Sequence, residues 1–466
     1  MKPGGWFVTT SYFVRICCYL VVAFVVSACA PTLPPPGEIV DLRLLPQNVA
    51  RYVPMPEDDR PLISPMRQEH LAQTFHARYF APWDDREMTR EDGSDLFWGL
   101  RRYRDRIVFG ENLLPVSDCW LEEMNRRSAP DSFPALVHPA VTVTPTSLRV
   151  LPSHKPVFHN PALPGQGFPF DMLQNSLVPA GTPVRVVHAT PDGDWYLAMA
   201  PHVSGWVRPW EVAWVDQPVM EAMRDAELVA VTRDGDVLRT AQGMYALHGR
   251  VGMLLPRCPL PAPAGTVAVQ APQRRADGWA ELKCGFIADS AIESWPVPAT
   301  WDRYVHVLDG LLGQPYGWGG MYENRDCSAL IQDVQALFGI ALPRNSRAQA
   351  RAGRVVDLAG LDAAQKEHRI VELGVPLLTI VNMPGHVLLY LGPDPVSGRP
   401  VMLHALWGLR IQEPRAWRAQ HATPGRWVLG RTVITTLAPG AELPGLLRPE
   451  GMLVERVTSM TILVDS

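Results

Sequence analysis

The feature that most constrains this chain is the run from Pro315 to Gly339, PYGWGGMYENRDCSALIQDVQALFG, where a glycine-rich loop feeds straight into an amphipathic helix. Ala329, Leu330, Val334, Leu337 and Phe338 fall on one helical stripe, and Gly339 can end the helix. Asp326 suits the N-cap, which puts Cys327 in the first turn. Free backbone N–H groups and the helix macrodipole favour an anion there, lower a thiol's pKa and can face a developing oxyanion. A lone cysteine at a helix end is more often a small buried filler. The glycine-rich approach and the polar residue before it turn the reading toward a nucleophile.

A thiol nucleophile needs an imidazole to take its proton and to protonate the leaving amine. His386 follows Pro384-Gly385 and opens the strand HVLLYLG, where alternation puts His386, Leu388 and Tyr390 on one face. His404 lies mid-strand in MLHAL, eighteen residues on, a spacing that suits an adjacent antiparallel strand. A second imidazole there can hold His386 in the right tautomer, the part that Asp or Asn plays in other triads. Either histidine alone is more often structural; the joint pattern carries the catalytic reading of Cys327, His386 and His404.

Along the rest of the chain, 466 residues exceed one ordinary core and predict three or four units. The 46 prolines favour loops, edge strands and linkers over long helices. Residues 38–135 read as a mostly helical packing segment. Its helices are expected over Asp95–Phe109 and Asn112–Met124, the second with Asp118 near its start. Residues 136–216 switch to short strands with turns, Pro183–His188 and Trp195–Met199 around Pro191-Asp192-Gly193-Asp194, which predicts a small barrel. Residues 217–298 look like a second such unit, in which Asp277-Gly278-Trp279 echoes the turn-then-Trp pattern at Trp195. From residue 299 a helix over Trp301–Leu312, the Cys327 helix and strands over Pro376–Asn382, His386–Gly392 and Pro400–Trp407 indicate an α+β domain reaching residue 466.

The N-terminus reads as an export signal. Residues 1–29 carry only Lys2 and Arg15 as charges, then the apolar run Ile16–Val26, then Ser27-Ala28-Cys29. That run is shorter than the roughly 20 residues of a membrane span. Val26-Ser27-Ala28-Cys29 resembles a bacterial lipobox, which implies a lipid anchor on Cys29. A plain signal peptide is the other reading. Residues 30–37, with PTLPPP, fit a stiff tether. Export makes disulfides possible. Cys258 and Cys284 lie in one β unit and either pair or stay buried as thiols. The net charge of −4 argues against a nucleic-acid partner, and no metal-ligand spacing stands out, so no cofactor is expected.

YGWGG with RDCSALIQDVQALFGIALPRNSRAQA, then PGHVLLYLG and LHALWG, resembles the NlpC/P60 cell-wall peptidase family. Ala329 stands where that family commonly has Gly. The upstream order, a stabilising segment and two SH3-like barrels, is similar to the γ-D-glutamyl-L-diamino acid endopeptidases of the family, and GFPFDMLQNS (167–176) to the first barrel's long loop. The resemblance implies a papain-like fold and a Cys327-His386-His404 triad. The implied reaction cleaves the γ-D-glutamyl-L-diamino acid bond of peptidoglycan stem peptides. It further implies that Asp326, Ser328, Ser346 and Trp318 hold a free N-terminal L-Ala, although Asp326 also reads as a helix cap alone. The location implied is the cell envelope. Two other functions stay open: a D,L-endopeptidase acting on intact peptidoglycan, and a non-catalytic envelope lipoprotein whose barrels bind wall peptides.

Overall fold

A computed structural model describes residues 38–54, 60–117, 119–163, 165–412, 425–443 and 445–464. The signal segment with Cys29, the tether and Asp118 lie outside the described residues. The chain divides into Met1–Glu38 and the compact unit Ile39–Ser466, which is the one described here. Among the described residues no helix is long and apolar enough to cross a membrane.

The N-terminal segment is helical and wraps the other parts. Its main helix, Pro65–Phe80, escapes the periodicity reading. The helix buries Gln68, whose amide N–H groups donate to Val297 O (2.6 Å) and Phe338 O (3.3 Å), while its oxygen accepts from Ala299 N (3.1 Å). A buried amide satisfied on both ends costs little, and it ties three stretches of chain together. The helix expected over Asp95–Phe109 is instead two short ones, Arg90–Leu96 and Trp98–Arg102. The Thr89–Asp92 capping box sets the first start, upstream of the expected one. The helix expected over Asn112–Met124 begins at Trp120 and runs to Ser128.

The first β unit has seven strands: β1 (His138–Thr142), β2 (Thr146–Arg149), β3 (Gln174–Val178), β4 (Pro183–Ala189), β5 (Tyr196–Ala200), β6 (Val203–Val207) and β7 (Val212–Trp214). They pair in the order β3-β2-β6-β5-β4-β1-β7. All seven contribute to one apolar cluster, including Ala140, Leu148, Val178, Val186, Ala198, Val207 and Val212, so the sheet curls around its own core. The second unit stacks β8 (Leu228–Val231), β11 (Leu254–Pro256) and β14 (Ile292–Ser294) on β9 (Val237–Thr240), β10 (Tyr245–His248), β12 (Thr266–Arg274) and β13 (Ala280–Ala288), again over a single cluster. Cys258 and Cys284 are disulfide-bonded within it. The tryptophan echo does not mark equivalent sites. Trp195 is buried in the core beneath the N-terminal helices, whereas Trp279 bridges to Trp214 at the junction of the two β units.

The C-terminal part holds a six-stranded antiparallel sheet: β15 (Arg354–Asp357), β16 (Thr379–Met383), β17 (His386–Pro393), β18 (Pro400–Arg410), β19 (Arg426–Thr435) and β20 (Ser459–Ile462). Its order is β15-β20-β16-β17-β18-β19. The sequence reading found only the central three strands. The helix Cys327–Leu337 packs on β17 and β18, burying Leu330, Ile331 and Val334 with Val387, Leu389 and Leu403. Each such side chain contributes about 1.5–3 kcal/mol.

The glycine-rich loop is where the first β unit meets the sheet domain. Gly319 and Gly320 have φ of +58° and +86°. A Cβ on Gly319 would lie 2.5 Å from Gln174 O, and one on Gly320 would lie 2.4 Å from Leu177 Cβ. Only glycine allows both the backbone conformation and the approach to β3. The second β unit is joined through Arg325, which is 2% exposed. Its guanidinium pairs with Asp234, and its Nε donates to Asp333 (2.8 Å), which Arg250 also meets at 2.9 Å.

Removing one partner of a buried cation leaves uncompensated charge. Asp234→Asn is therefore expected to lower the unfolding free energy by about 2–4 kcal/mol. Urea denaturation followed by tryptophan fluorescence checks this; an unchanged midpoint would show that Arg325 does not need the second β unit.

Candidate active site

Cys327 opens its helix, and the Asp326 side chain caps it by accepting from Ala329 N at 2.8 Å. Asp326 is more than a cap. Its Oδ1 also accepts from the Ser328 hydroxyl (3.1 Å) and Arg344 Nη1 (3.1 Å), and its Oδ2 from Gly319 N (3.0 Å) and Arg344 Nη2 (2.7 Å). The carboxylate is thus held by a bidentate arginine pair, the strong geometry for such groups. Burial alone would raise its pKa; Arg344 reverses that and holds it below the usual carboxylate range. Arg344 also donates from Nη1 to Ser328 Oγ (2.9 Å) and from Nε to Ser176 Oγ on β3 (2.7 Å).

The thiol itself departs from the helix-start argument. Burial, with the Asp326 carboxylate second, pushes Cys327 up to about 12. The backbone N–H groups of Val387 and Ser328 work in the other direction and lose. The sulfur therefore lies against the start of β17, one residue from His386. Burial, helped by Arg456, pushes His386 down to about 4. The resting pair is a neutral thiol and a neutral imidazole, rather than a preformed thiolate.

The imidazole tautomers follow from one chain of hydrogen bonds. The Thr435 hydroxyl donates to Thr436 O (2.7 Å), a carbonyl that can only accept. Its single proton is thereby used, so the 3.0 Å contact between Thr435 Oγ1 and His404 Nε2 requires His404 to donate. A neutral His404 then has a bare Nδ1, 2.8 Å from His386 Nε2, and His386 donates in turn. His404 is fully buried and pushed well below the ordinary imidazole range by burial and by His386, which keeps it neutral. The free lone pair of His386 is left on Nδ1.

Two cavities meet at these residues. One, of about 510 Å³, is lined by Cys327, Asp326, Ser328, Ser346 and Trp318 together with Asn175, His202 and Ser204 of the first β unit and Trp98 and Arg102 of the helical segment. The other, of about 370 Å³, is lined by His386, Phe170, Trp407 and a group of arginines. Tyr316, Trp318, Met172 and Gly385 line both. Trp318 is fixed by its indole N–H donating to Asp171 O (2.9 Å). Asp171 is held in turn by Arg149 at 2.7 Å.

The candidate catalytic and substrate-binding residues, Cys327, His386, His404, Asp326, Ser328, Ser346 and Trp318, come together here, while Cys29 lies outside the described residues. Arg344 and Thr435 were not singled out. Arg344 lies two residues before Ser346 in the same quoted motif, while Thr435 sits on β19, a strand without a readable pattern of its own. Among the described residues no group of His, Cys, Asp or Glu could hold a metal ion.

Comparison with known proteins agrees with this architecture. Family models match at residues 16–133 (NLPC_P60 stabilising domain, N term), 156–208 (SH3 domain, SH3b1 type) and 313–423 (NlpC/P60 family). Two probable endopeptidases of Corynebacterium glutamicum are similar, one 29% identical over 117 residues, 25% of this chain and 48% of that protein. The other, from strain R, is 30% identical over 112 residues, 24% of this chain and 45% of that protein. The chain thus spans about half the length of these curated relatives. A solved structure described as a novel NlpC/P60 endopeptidase from Photobacterium damselae subsp. piscicida shares the fold. Its TM-score is 0.76 at 24% identity, over 90% of this chain and 97% of that one.

The tautomers of the two rings can be read directly. Long-range ¹H–¹⁵N spectra at pH 7 are expected to show both His386 and His404 as neutral Nε2–H rings. Thr435→Val should leave His404 without its acceptor and give mixed tautomers at both positions. A His386 ring protonated at Nδ1 in the unmodified chain would overturn the relay.

Proposed function

From a chain that carries an NlpC/P60 domain behind an SH3 domain and the family's N-terminal stabilising domain, we propose a cell-wall cysteine peptidase that cleaves the γ-D-glutamyl-L-diamino acid bond of peptidoglycan stem peptides. The observation that carries this reading is Cys327 at a helix start against the backbone of Val387, the residue next to His386 in the His386–His404–Thr435 relay. In the proposed mechanism the bare Nδ1 of His386 takes the thiol proton as sulfur attacks the γ-glutamyl carbonyl, so charge separation develops only during attack. The N–H groups of the helix start stabilise the oxyanion. His386 then protonates the leaving amine, and water resolves the acyl-enzyme. The relay keeps the imidazole in the one tautomer that can do this, as a third member does in other triads.

The substrate's free N-terminal L-Ala would lie in the 510 Å³ cavity, beside Asp326, Ser328, Ser346 and Trp318. Asp326 already carries five donors, so we assign it to shaping that pocket with Arg344, while the Ser328 and Ser346 hydroxyls offer acceptors to an ammonium. Asn175, His202 and Ser204 crowd this end of the cleft from the first β unit. Such crowding suits a peptide that ends there better than one continuing into a glycan. We place the protein in the cell envelope, exported by the 1–29 segment and anchored through Cys29.

Mass-spectrometric analysis of L-Ala-γ-D-Glu-diaminopimelate, its N-acetylated form and intact sacculi tests the reading. Release of L-Ala-D-Glu from the free peptide is expected, with activity lowered roughly 10⁴-fold or more in Cys327→Ala. Cleavage of sacculi or of the blocked peptide would instead indicate a wall-cutting D,L-endopeptidase. Binding without turnover would indicate a non-catalytic lipoprotein.

The pH profile offers a second check. His386 must be neutral to act as base, and its pKa is lowered to about 4. The acid limb of kcat/KM is therefore expected near pH 4, activity rising as pH rises through it. A limb near 6.5 would mean that the imidazole is not desolvated in the working enzyme.

A further inference from the structure

The 370 Å³ cavity beside His386 contains a charge arrangement that the mechanism above does not use. Arg410 and Arg426 are directly opposed across β18 and β19. Arg456 ends the short helix Leu453–Arg456, and its Nη2 donates to Pro384 O at 2.8 Å, two residues before His386. All three line the cavity. Arg426 is pressed against the first unit's long loop so closely that a Cβ on Gly165 would lie 2.6 Å from its Nη2.

Of the four arginines buried elsewhere among the described residues, three have acids: Arg149 has Asp171, Arg325 has Asp234 and Asp333, Arg344 has Asp326, while Arg185 donates to the carbonyls of Pro82 and Asp84. Among the described residues no carboxylate forms an ion pair with Arg410, Arg426 or Arg456. Glu450, an exposed residue, is the acid in the lining. The three cations repel one another: burial first, then Arg410 and Arg456, bring Arg426 down to about 10. Burial and Arg410 lower Arg456 as well. Three mutually repelling guanidiniums in a cleft wall are an arrangement that a bound anion relieves, and planar forks match carboxylates in particular.

The position says which anion. His386 hands its proton to the departing amine, so the leaving fragment lies on the His386 side, while the acyl part stays with Cys327. We propose that Arg410, Arg426 and Arg456 form an anion subsite on the leaving-group side that takes a fragment bearing two carboxylates. The enzyme thereby selects a diamino dicarboxylic acid over a diamino monocarboxylic one. This rests on the peptidase reading for its orientation. A lysine-type fragment ends its side chain in an ammonium alone, with no carboxylate beside it to offset the repulsion from these cations. A diaminopimelate-type fragment offers a second carboxylate at the same reach, and amidation of that group removes the advantage.

Two measurements on the full chain test this. In the first, calorimetry follows free meso-diaminopimelate and free lysine binding to Cys327→Ala, which reads the subsite without any hydrolysis. Diaminopimelate is expected to bind at least tenfold more tightly, with affinity falling as salt rises and lost in Arg426→Gln. Equal binding, or none, overturns the subsite. In the second, steady-state kinetics compare L-Ala-γ-D-Glu peptides ending in diaminopimelate, its mono-amide and lysine. The unmodified chain is expected to favour the dicarboxylate at least tenfold, mainly in KM. Arg410→Gln, at an exposed position, should collapse that ratio toward one. A ratio unchanged in Arg410→Gln and Arg426→Gln overturns the proposal. If no peptide is cleaved, the peptidase reading fails, and the calorimetry still decides the subsite.

Discussion

The site depends on two ion pairs set back to back just ahead of the nucleophile. Arg325 reaches away from the cleft to Asp234 of the second β unit and to Asp333 of its own helix. Asp326 reaches the opposite way to Arg344, which in turn holds Ser176 of the first β unit. The peptide link between them allows neither to move alone. Pulling charges out of water is costly unless geometry is nearly ideal, so each pair accepts few arrangements of its neighbours. Both β units are thereby registered against the residue that carries the sulfur. Charge here defines position more than it adds stability.

The same low-dielectric surroundings govern the chemistry. A helix start in water would favour a thiolate, but at Cys327 desolvation outweighs the backbone dipoles and the thiol stays neutral. His386 and His404 are neutral for the same reason. Neutral rings can hold directional hydrogen bonds without repelling each other, which two imidazoliums 2.8 Å apart could not. Burial therefore makes a His–His pair workable. Thr435 then breaks the symmetry between the two ring nitrogens by having only one proton to give.

Much of this was legible in the sequence where local pattern and chemistry coincide. The Cys327 helix announces itself by its apolar stripe and its aspartate cap, and the strands of His386 and His404 by alternation. Other parts were hidden for physical reasons. The strand from Arg426 to Thr435 mixes charge, glycine and hydroxyls, because it borders a polar cavity on one side and finishes the sheet on the other. Its alternation is accordingly weak, and Thr435 and Arg426 went with it. The helix Pro65–Phe80 is stabilised by contacts with residues more than two hundred positions away, which no window along the chain can register. Arg344 was in view as part of a motif, but its role needs the spatial neighbourhood of Asp326. The helix-start argument for Cys327 failed because the depth of burial cannot be read from spacing.

The hydrogen bonds of the earliest described residues have a consequence for the order of assembly. Asp41 accepts from the backbone and hydroxyl of Thr436, and Gln47 exchanges hydrogen bonds with the backbone of Ile434, 387 residues along. These two residues clamp Thr435, the end of the imidazole relay, from both sides in sequence. As the chain emerges from its N-terminus, the segment that will make this clamp appears first and must wait for nearly the whole remainder. The relay gains its full set of contacts only once residues 434–436 have been made. Until that strand is in place Cys327 has no fully oriented base, so reactivity waits on a part of the chain made long after the cysteine itself.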